Sequence, residues 1–281
     1  MLTFQLFRIK VFPPIQQHLF DGERTRSEIL REAIHSLQNA IFRGKSTWHV
    51  GNVRSIDENA LYFRLGRSKI ATLEIFDEEK GGFVDQKFET APYTHAIVDI
   101  DLEICAIAEK PSLSPSTAGI ARRFERLLNE YASGSEFHAT FEIEELKDPE
   151  DFITHIRKAY SISKFWVQFS RPNATDADAD YIKPFQKWLE ASNGEKGKAE
   201  IKGENLNSEV VEAVARSAAA TGDNAGAWFK PETDIKAVKK QLKGSSVNIS
   251  YDDKIDDTLW TTFIARVRNT YRKIRGDGPN S

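Results

Sequence analysis

The sequence predicts an α+β protein of two domains, each a mostly antiparallel or mixed sheet covered by helices. Three observations carry this expectation. The chain has 281 residues, more than one hydrophobic core usually serves. Apolar runs of period 2 alternate along it with runs of helical period. The clearest unit, Phe137 to Ser170, reads strand, helix, strand. In it Phe137-His138-Ala139-Thr140-Phe141-Glu142-Ile143 alternates, Asp148-Pro149-Glu150-Asp151 opens a helix, and Lys164-Phe165-Trp166-Val167-Gln168-Phe169 forms the second strand. Asp148 is suited to cap free amides, and Pro149 to the first helical position, where no amide is needed. Phe152, Ile153, Ile156 and Tyr160 recur at helical spacing, so Phe152 and Ile156 are expected to cover the sheet face of Phe165, Val167 and Phe169.

The other elements follow from the same signals in chain order. Phe4 to Phe12 is strand-rich and stops at Pro13-Pro14. Thr25-x-x-Glu28 is a capping box, and Ile29, Leu30, Ala33, Ile34, Leu37 and Ile41 share one face of the helix that follows, up to Gly44. Strands are expected at Trp48 to Arg54, Ala60 to Leu65 and Ile70 to Phe76, with Asp57-Glu58-Asn59 turning between the first two. After a polar loop from Asp77 to Gly82, Tyr93 to Ala108 reads as one long strand bent near Asp101. Ser114-Pro115 opens a helix with Ile120, Phe124, Leu127, Leu128 and Tyr131 inward. It closes at Gly134, where the domain boundary is placed, giving domains 1–134 and 135–281.

In the second half, Arg171-Pro172-Asn173 breaks the chain. Tyr181, Ile182, Phe185, Trp188 and Leu189 form an amphipathic helix in which Pro184 requires a late start or a kink. Asn193-Gly194 ends it. Lys198 to Lys202 is a short strand. Ser208 caps a helix through Val210, Val211, Val214, Ala215 and Ala218. Strands at Ala227 to Phe229 and Val247 to Tyr251 flank a lysine-rich helix from Asp234 to Leu242. The last helix, Asp256 to Arg275, turns Leu259, Phe263, Ile264, Val267, Tyr271 and Ile274 inward. The tail from Gly276 frays.

Composition narrows the function classes. Hydrophobic residues are 40% and charged residues 29%, with a net charge of −3. There is thus no global pull toward nucleic acid or acidic lipid, and any basic face is local. Cys105 is the single cysteine, so an intrachain disulfide and a cysteine zinc cage are excluded. It lies in the run Ile104-Cys105-Ala106-Ile107-Ala108 and reads as a core thiol. Met1 to Lys10 interleaves polar residues too often for a signal peptide, and no run of about 18 apolar residues occurs. A reducing cytoplasm without membrane insertion is expected.

Several short motifs resemble chemistry and fail on spacing. Gly44-Lys45-Ser46 lacks the earlier glycine of a phosphate loop, since position 39 is Asn39, and a helix precedes it. Asp176-Ala177-Asp178-Ala179-Asp180 lacks the calcium-loop glycine and glutamate, with Tyr181 and Lys187 in their places. Ser161-x-x-Lys164 has neither partner motif of the penicillin-binding enzymes. His18, His35, His49, His95, His138 and His155 include no His-x-x-x-His pair. No cofactor is expected.

Two patterns remain. Many nucleases set an acid on one strand and Glu-x-Lys on the next, holding a divalent metal and positioning water. Glu200-Ile201-Lys202 fits, with Asp178 or Asp180 as the distal acid, and so does Glu145-Leu146-Lys147 with Asp99 or Asp101. Basic clusters are the other pattern: Lys236, Lys239, Lys240 and Lys243; Arg266, Arg268, Arg272, Lys273 and Arg275; and Arg122, Arg123 and Arg126. They are suited to neutralising phosphates without regard to sequence. Cations late in a helix, with Asp256 and Asp257 at its start, also follow the helix dipole alone.

Gly51 and Ile56-Asp57-x-x-x-Leu61-Tyr62-Phe63, then Lys230-Pro231 and Asp234-Ile235-Lys236-x-Val238, then a long basic last helix, resemble the RexA family of phage-exclusion proteins. The layout is also similar to the DNA-binding subunit of the Kiwa anti-phage system. The resemblance implies a cytoplasmic, dimeric, DNA-binding component of phage defence, working with a membrane-protein partner. The expectation is therefore a binding or sensing protein rather than an enzyme, with DNA across the Lys236 to Lys243 segment and the last helix. The alternatives are a metal-dependent nuclease at Glu200 and Lys202, or an interaction subunit with Trp188, Trp228 or Trp260 at an interface.

Overall fold

A computed structural model of the chain describes residues 1–13, 24–37, 47–135, 138–170, 180–232, 236–251 and 259–276. The readings at Pro14, Ile41, Gly44-Lys45-Ser46, Phe137, Arg171-Pro172-Asn173, Asp176 to Ala179, Asp234-Ile235 and Asp256-Asp257, and the tail beyond Gly276, lie outside these residues. The fold is α+β, as the periodicities predict, and every strand pairing is antiparallel.

The first sheet is built around β1 (Leu2–Phe12). Its order is β13 (Asn248–Tyr251), β1, β7 (Ile104–Ala108), β6 (Tyr93–Asp99), β3 (Ala60–Arg67), β2 (Trp48–Ser55), and β8 (Thr140–Glu145) also pairs with β1. Alternation along β1 gives it two buried faces. Phe7, Ile9 and Val11 pack with Ile29, Leu30 and Ile34 of α1 (Arg26–Leu37) and Ile120, Phe124 and Leu128 of α2 (Thr117–Gly134). Phe4 and Leu6 pack with Trp260, Phe263, Ile264 and Val267 of α6 (Leu259–Arg275). Burying each such aromatic stabilises by about 2–3 kcal/mol.

The second sheet runs β10 (Lys196–Lys202), β9 (Ser161–Ser170), β11 (Ala225–Lys230), β12 (Val238–Gln241). Its inner face is covered by α4 (Ile182–Ala191) and α5 (Ser208–Thr221), and α5 also packs on α3 (Glu150–Lys158) and α6. A helical layer thus lies between the sheets, in a core that runs from Phe4 through Phe263, Ile156 and Ala218 to Phe165 and Phe229. The two remaining strands, β4 (Lys69–Asp77) and β5 (Gly82–Thr90), form a separate ribbon.

Toward its end β1 carries charge on the face that began as Phe4 and Leu6. Arg8 and Lys10 are both buried. The Arg8 guanidinium donates to the Tyr271 hydroxyl at 2.8 Å and to Glu103 at 3.2 Å. The Lys10 ammonium donates to Glu144 at 2.9 Å, Ser170 at 2.8 Å and Asp223 at 3.2 Å. Ser170 and Thr221 hydroxyls also donate to Asp223, at 3.1 and 2.8 Å. This cluster joins the first sheet to β9 and the end of α5.

Several expectations need correction. The boundary at residue 134 does not follow the sheets, because β8 and β13 from the second half pair with β1. Within 137–170 the elements form as read, but β8 and β9 belong to different sheets. The face of Phe165 and Val167 is lined by Val211 and Val214 of α5, while α3 packs on α5. Tyr160 falls beyond α3 and is exposed. Tyr93 to Ala108 is a hairpin, not one strand: Asp99 accepts from the Leu102 amide at 2.9 Å, and Glu103 takes a φ of 52°. Ser116 caps α2 and Asn207 caps α5, in place of Ser114 and Ser208.

The lysine-rich helix expected over Asp234 to Leu242 is also absent where described, and Val238–Gln241 is strand β12. The segment has too narrow an apolar stripe to hold a helix to the body. Pairing with β11 instead satisfies that strand's open edge and sets Val238 opposite Phe229. The capping box stands as expected: the Glu28 amide donates to Thr25 Oγ1 at 3.2 Å, and the Thr25 amide to Glu28 at 2.8 Å. Among the described residues no helix is long and apolar enough to cross a membrane.

Candidate nucleic-acid interface

Strand alternation decides what the second sheet shows on each side. Phe165, Val167, Ala199 and Ile201 turn toward α4 and α5, where they line an apolar cavity of about 220 Å³. The opposite side chains form the outer face, on which Trp166 and Ser170 are buried and the rest are half-buried or exposed. It presents Lys164, Trp166 and Gln168 of β9, Lys198, Glu200 and Lys202 of β10, Trp228 and Lys230 of β11, and Lys239 and Gln241 of β12. With Lys196 at the start of β10, 3.7 Å from Glu142 of β8, six lysines of this sheet stand on the side of its one outward carboxylate, Glu200, on a chain that is acidic overall.

The register interleaves these lysines with the tryptophans. Lys164, Trp228 and Lys239 lie opposite one another across three strands. The Lys164 ammonium sits 4.4 Å and the Lys239 ammonium 5.0 Å from the Trp228 ring centre. Lys198 sits 4.6 Å from the Trp166 ring centre. Each such contact contributes roughly 0.5–1 kcal/mol at exposed sites. Trp166 lies flat across β11, because a Cβ at Gly226 would meet its indole at 2.6–2.8 Å. Only a residue without a side chain admits that close approach. Trp228 is half-buried and offers an accessible ring.

Glu200 sits among these cations, 2.8 Å from Lys164 and 3.4 Å from Lys202. The Lys164 ammonium, with Lys202 adding, holds its carboxyl below the usual glutamate range. Glu200 thus tethers two of the lysines. Of the two distal acids expected for a nuclease, Asp178 lies outside the described residues, and Asp180 lines the cavity on the inner side, with Ala199 and Ile201, whereas Glu200 points outward. In the second Glu-x-Lys triplet, Lys147 donates to Asn224 at 3.2 Å and Asp99 accepts from Arg268 at 2.6 Å. Ser161 and Lys164 lie three residues apart on β9. Among the described residues no three His, Cys, Asp or Glu side chains are grouped to hold a metal.

The predicted basic clusters are dispersed. Lys239 faces outward, Lys240 lies opposite Ala227 on the inner side, and Lys236 and Lys243 are exposed beyond the ends of β12. The helix that carries the other cations, α6, packs on α5. Arg268 is fixed within the fold: it donates to Asp57 at 2.8 Å and Asp99 at 2.6 Å, and both carboxylates raise its pKa. Arg266, Arg272 and Lys273 are exposed, and Arg275 is half-buried. Arg122, Arg123 and Arg126 are exposed on α2, with Arg126 bonded to Glu130 at 2.6 Å.

Of the tryptophans proposed for an interface, Trp260 is 2% exposed and packs in the core against Phe4, Tyr62 and Tyr251. Trp188 is 68% exposed on α4. Cys105 is fully buried, and burial pushes its thiol pKa up. The sequence reading missed Lys164, Trp166 and Lys198. The signal was present in Lys164-x-Trp166 and in Lys196-x-Lys198-x-Glu200-x-Lys202, a charged period of 2 that marks one face of a strand.

A second polar cluster lies on the first sheet. The Tyr62 hydroxyl accepts from Arg64 Nε at 3.2 Å, leaving its own proton for His95 Nδ1 at 2.8 Å. Burial lowers the His95 pKa to about 4, with Arg64, Lys110 and Arg54 adding to the effect. The ring is therefore neutral at physiological pH, at the edge of a cavity of about 350 Å³ between Leu2, Pro92, Tyr93 and Lys110.

The profile of the family described as Domain of unknown function (DUF4747) matches residues 19–268, and the chain belongs to that family. No curated protein matches the sequence.

Proposed function

We propose that this DUF4747 chain binds single-stranded nucleic acid across the outer face of its four-stranded sheet. The observation that carries the reading is the half-buried Trp228 on the outer face, beneath the Lys164 and Lys239 ammoniums at 4.4 and 5.0 Å, with Lys198 beside it over the buried Trp166. Proteins that hold single strands combine a cationic track with aromatic rings on which bases stack. Here the lysine ends are flexible. They move from ring to phosphate when a strand arrives, and the Trp228 ring takes the base they leave exposed. A sheet face favours unpaired bases over a duplex groove. The resemblance to phage-exclusion proteins supports the use of such a surface in a cytoplasmic defence component with a membrane partner.

The test is fluorescence anisotropy with labelled oligothymidylate, oligouridylate and a duplex of equal length. Single strands are expected to bind more tightly than the duplex. Base stacking contributes about 1–3 kcal/mol, so Trp228→Ala should weaken binding roughly 5- to 150-fold. With Lys164, Lys198, Lys202 and Lys239 engaged, the log–log salt slope should be about −2.8, from about −0.7 per phosphate on single strands. Lys198→Gln with Lys239→Gln should halve it. Unchanged affinity in both variants, or a preference for duplex lost only in Arg272→Glu with Lys273→Glu, would move the site to α6.

A further inference from the structure

The ribbon of β4 and β5 stands apart from both cores. It pairs with itself from Lys69 opposite Thr90 to Asp77 opposite Gly82, and with no other sheet. None of residues 69–90 is buried. Its composition nevertheless does not suit solvent. One face holds Ala71, Leu73, Ile75, Val84 and Phe88, and the other holds Ile70, Phe76 and Phe83. Ile70 is 74% and Phe83 82% exposed. A lone two-stranded ribbon is marginal in water, and long apolar strand edges seek another strand.

We infer that the occupant is a second copy of this chain, joined β4 to β4 as a four-stranded sheet. The argument is the self-complementarity of the strand. In a two-fold antiparallel pair, residues that meet share a face, so the axis must pass through a residue. With the axis at Leu73, Lys69 meets Asp77 of the second copy, Ile70 meets its Phe76, Ala71 its Ile75, and Thr72 its Glu74. Both ends carry opposite charges, the pairs between them are apolar except Thr72 with Glu74, and no like charges meet. The neighbouring registers lose this. An axis at Glu74 sets the two Glu74 carboxylates against each other and Ala71 against Asp77. An axis at Thr72 sets Ile70 against Glu74 and Lys69 against Ile75. Cross-strand pairs of this kind each contribute to sheet stability, and like charges directly opposite destabilise it. The contact is isologous and closes at two copies, which a solvent-exposed strand edge otherwise would not. The nucleic-acid face is on another sheet, so this inference does not depend on the proposed function.

The whole protein can be tested through its thiols. The native Cys105 is fully buried, so a cysteine introduced in the ribbon is the only one to react across the interface. Leu73→Cys, which lies on the axis, should form a covalent dimer on mild oxidation. Gln86→Cys, opposite Leu73 on the outer edge of β5, should not. Wild-type protein should scatter light as twice the 31.9 kDa chain. Leu73→Glu sets two carboxylates face to face on the axis and should weaken dimerisation about tenfold or more. Its circular dichroism should be unchanged, since Leu73 belongs to neither core. Monomeric wild-type protein overturns the inference. So does cross-linking at Gln86→Cys in place of Leu73→Cys, or an undiminished dimer in Leu73→Glu.

Discussion

Replacing Lys10 by methionine tests whether buried charge ties the two sheets together. Methionine keeps the apolar stem of the lysine and removes only the ammonium. That ammonium holds Glu144 at 2.9 Å, Ser170 at 2.8 Å and Asp223 at 3.2 Å. Without it Asp223 keeps the hydroxyls of Ser170 and Thr221, but no cation compensates its buried carboxylate among these contacts. Removing one partner of a buried pair costs about 3–5 kcal/mol. Glu144 is partly exposed and can turn to water, so the low end, about 3 kcal/mol, is expected. Lys10→Ala also loses the stem and should cost about 1–2 kcal/mol more. Lys10→Met with Asp223→Leu removes both charges and should recover most of the loss, because a buried ion pair contributes little over an apolar pair. Urea unfolding followed by circular dichroism gives these differences from midpoints at constant slope. A cost for Lys10→Met below about 1 kcal/mol, the range of exposed pairs, would refute the reasoning.

Three further outcomes follow from the described contacts. Because folding lowers His95 from 6.5 to about 4, the unfolded chain takes up that proton first as pH falls. The stability contribution is complete above about 6.5 and is lost toward about pH 4; His95→Gln should flatten the stability profile in that window, and parallel profiles would refute the assignment. Asp57 is held below its ordinary 3.8, chiefly by its hydrogen bond to Arg268, so its contribution is present above 3.8 and lost as pH falls through the lower folded value. Arg268→Met should remove this acid-window dependence in denaturation curves, and an unaltered curve argues against the clamp. Glu200→Gln releases Lys164 and Lys202 and should tighten single-strand binding severalfold, with a steeper salt slope; weaker binding would mean that Glu200 orders the face instead of restraining it.

What the sequence reveals here is what local periodicity encodes. The helices with a wide apolar stripe, α1, α2, α5 and α6, are all readable, because Ile29, Phe124, Val214 or Phe263 recur at helical spacing whatever they touch. Which strands become neighbours is not readable. Nothing local in Thr140 to Glu145 shows that it leaves β9 to join β1, since both edges of a strand offer the same amides. Val238–Gln241 reads as helix because four lysines nearby suit a helix end, and only the open edge of β11 makes it a strand. The ribbon strand Gly82–Thr90 is missed because Asp85, Gln86 and Lys87 interrupt its apolar residues. The interface is half legible for the same reason. Lys239 and Glu200 stand out as charges, but their union around Trp228 depends on the order of four strands.

The strand at the start of the chain sets a condition on how the protein is made. Leu2 pairs with Tyr251, so β1 meets β13 only after all the residues between them have been translated. At roughly 5–20 residues per second, that interval is on the order of ten to fifty seconds. The edge of β1 that receives β8 and β13 stays open until each of them is made, and Arg8 and Lys10 wait in turn for Tyr271, and for Ser170 and Asp223. A nascent chain halted after residue 134 has the helices for one face of β1 and nothing for the other. Premature termination should therefore yield a species that chaperones retain or proteases remove, rather than a free-standing half.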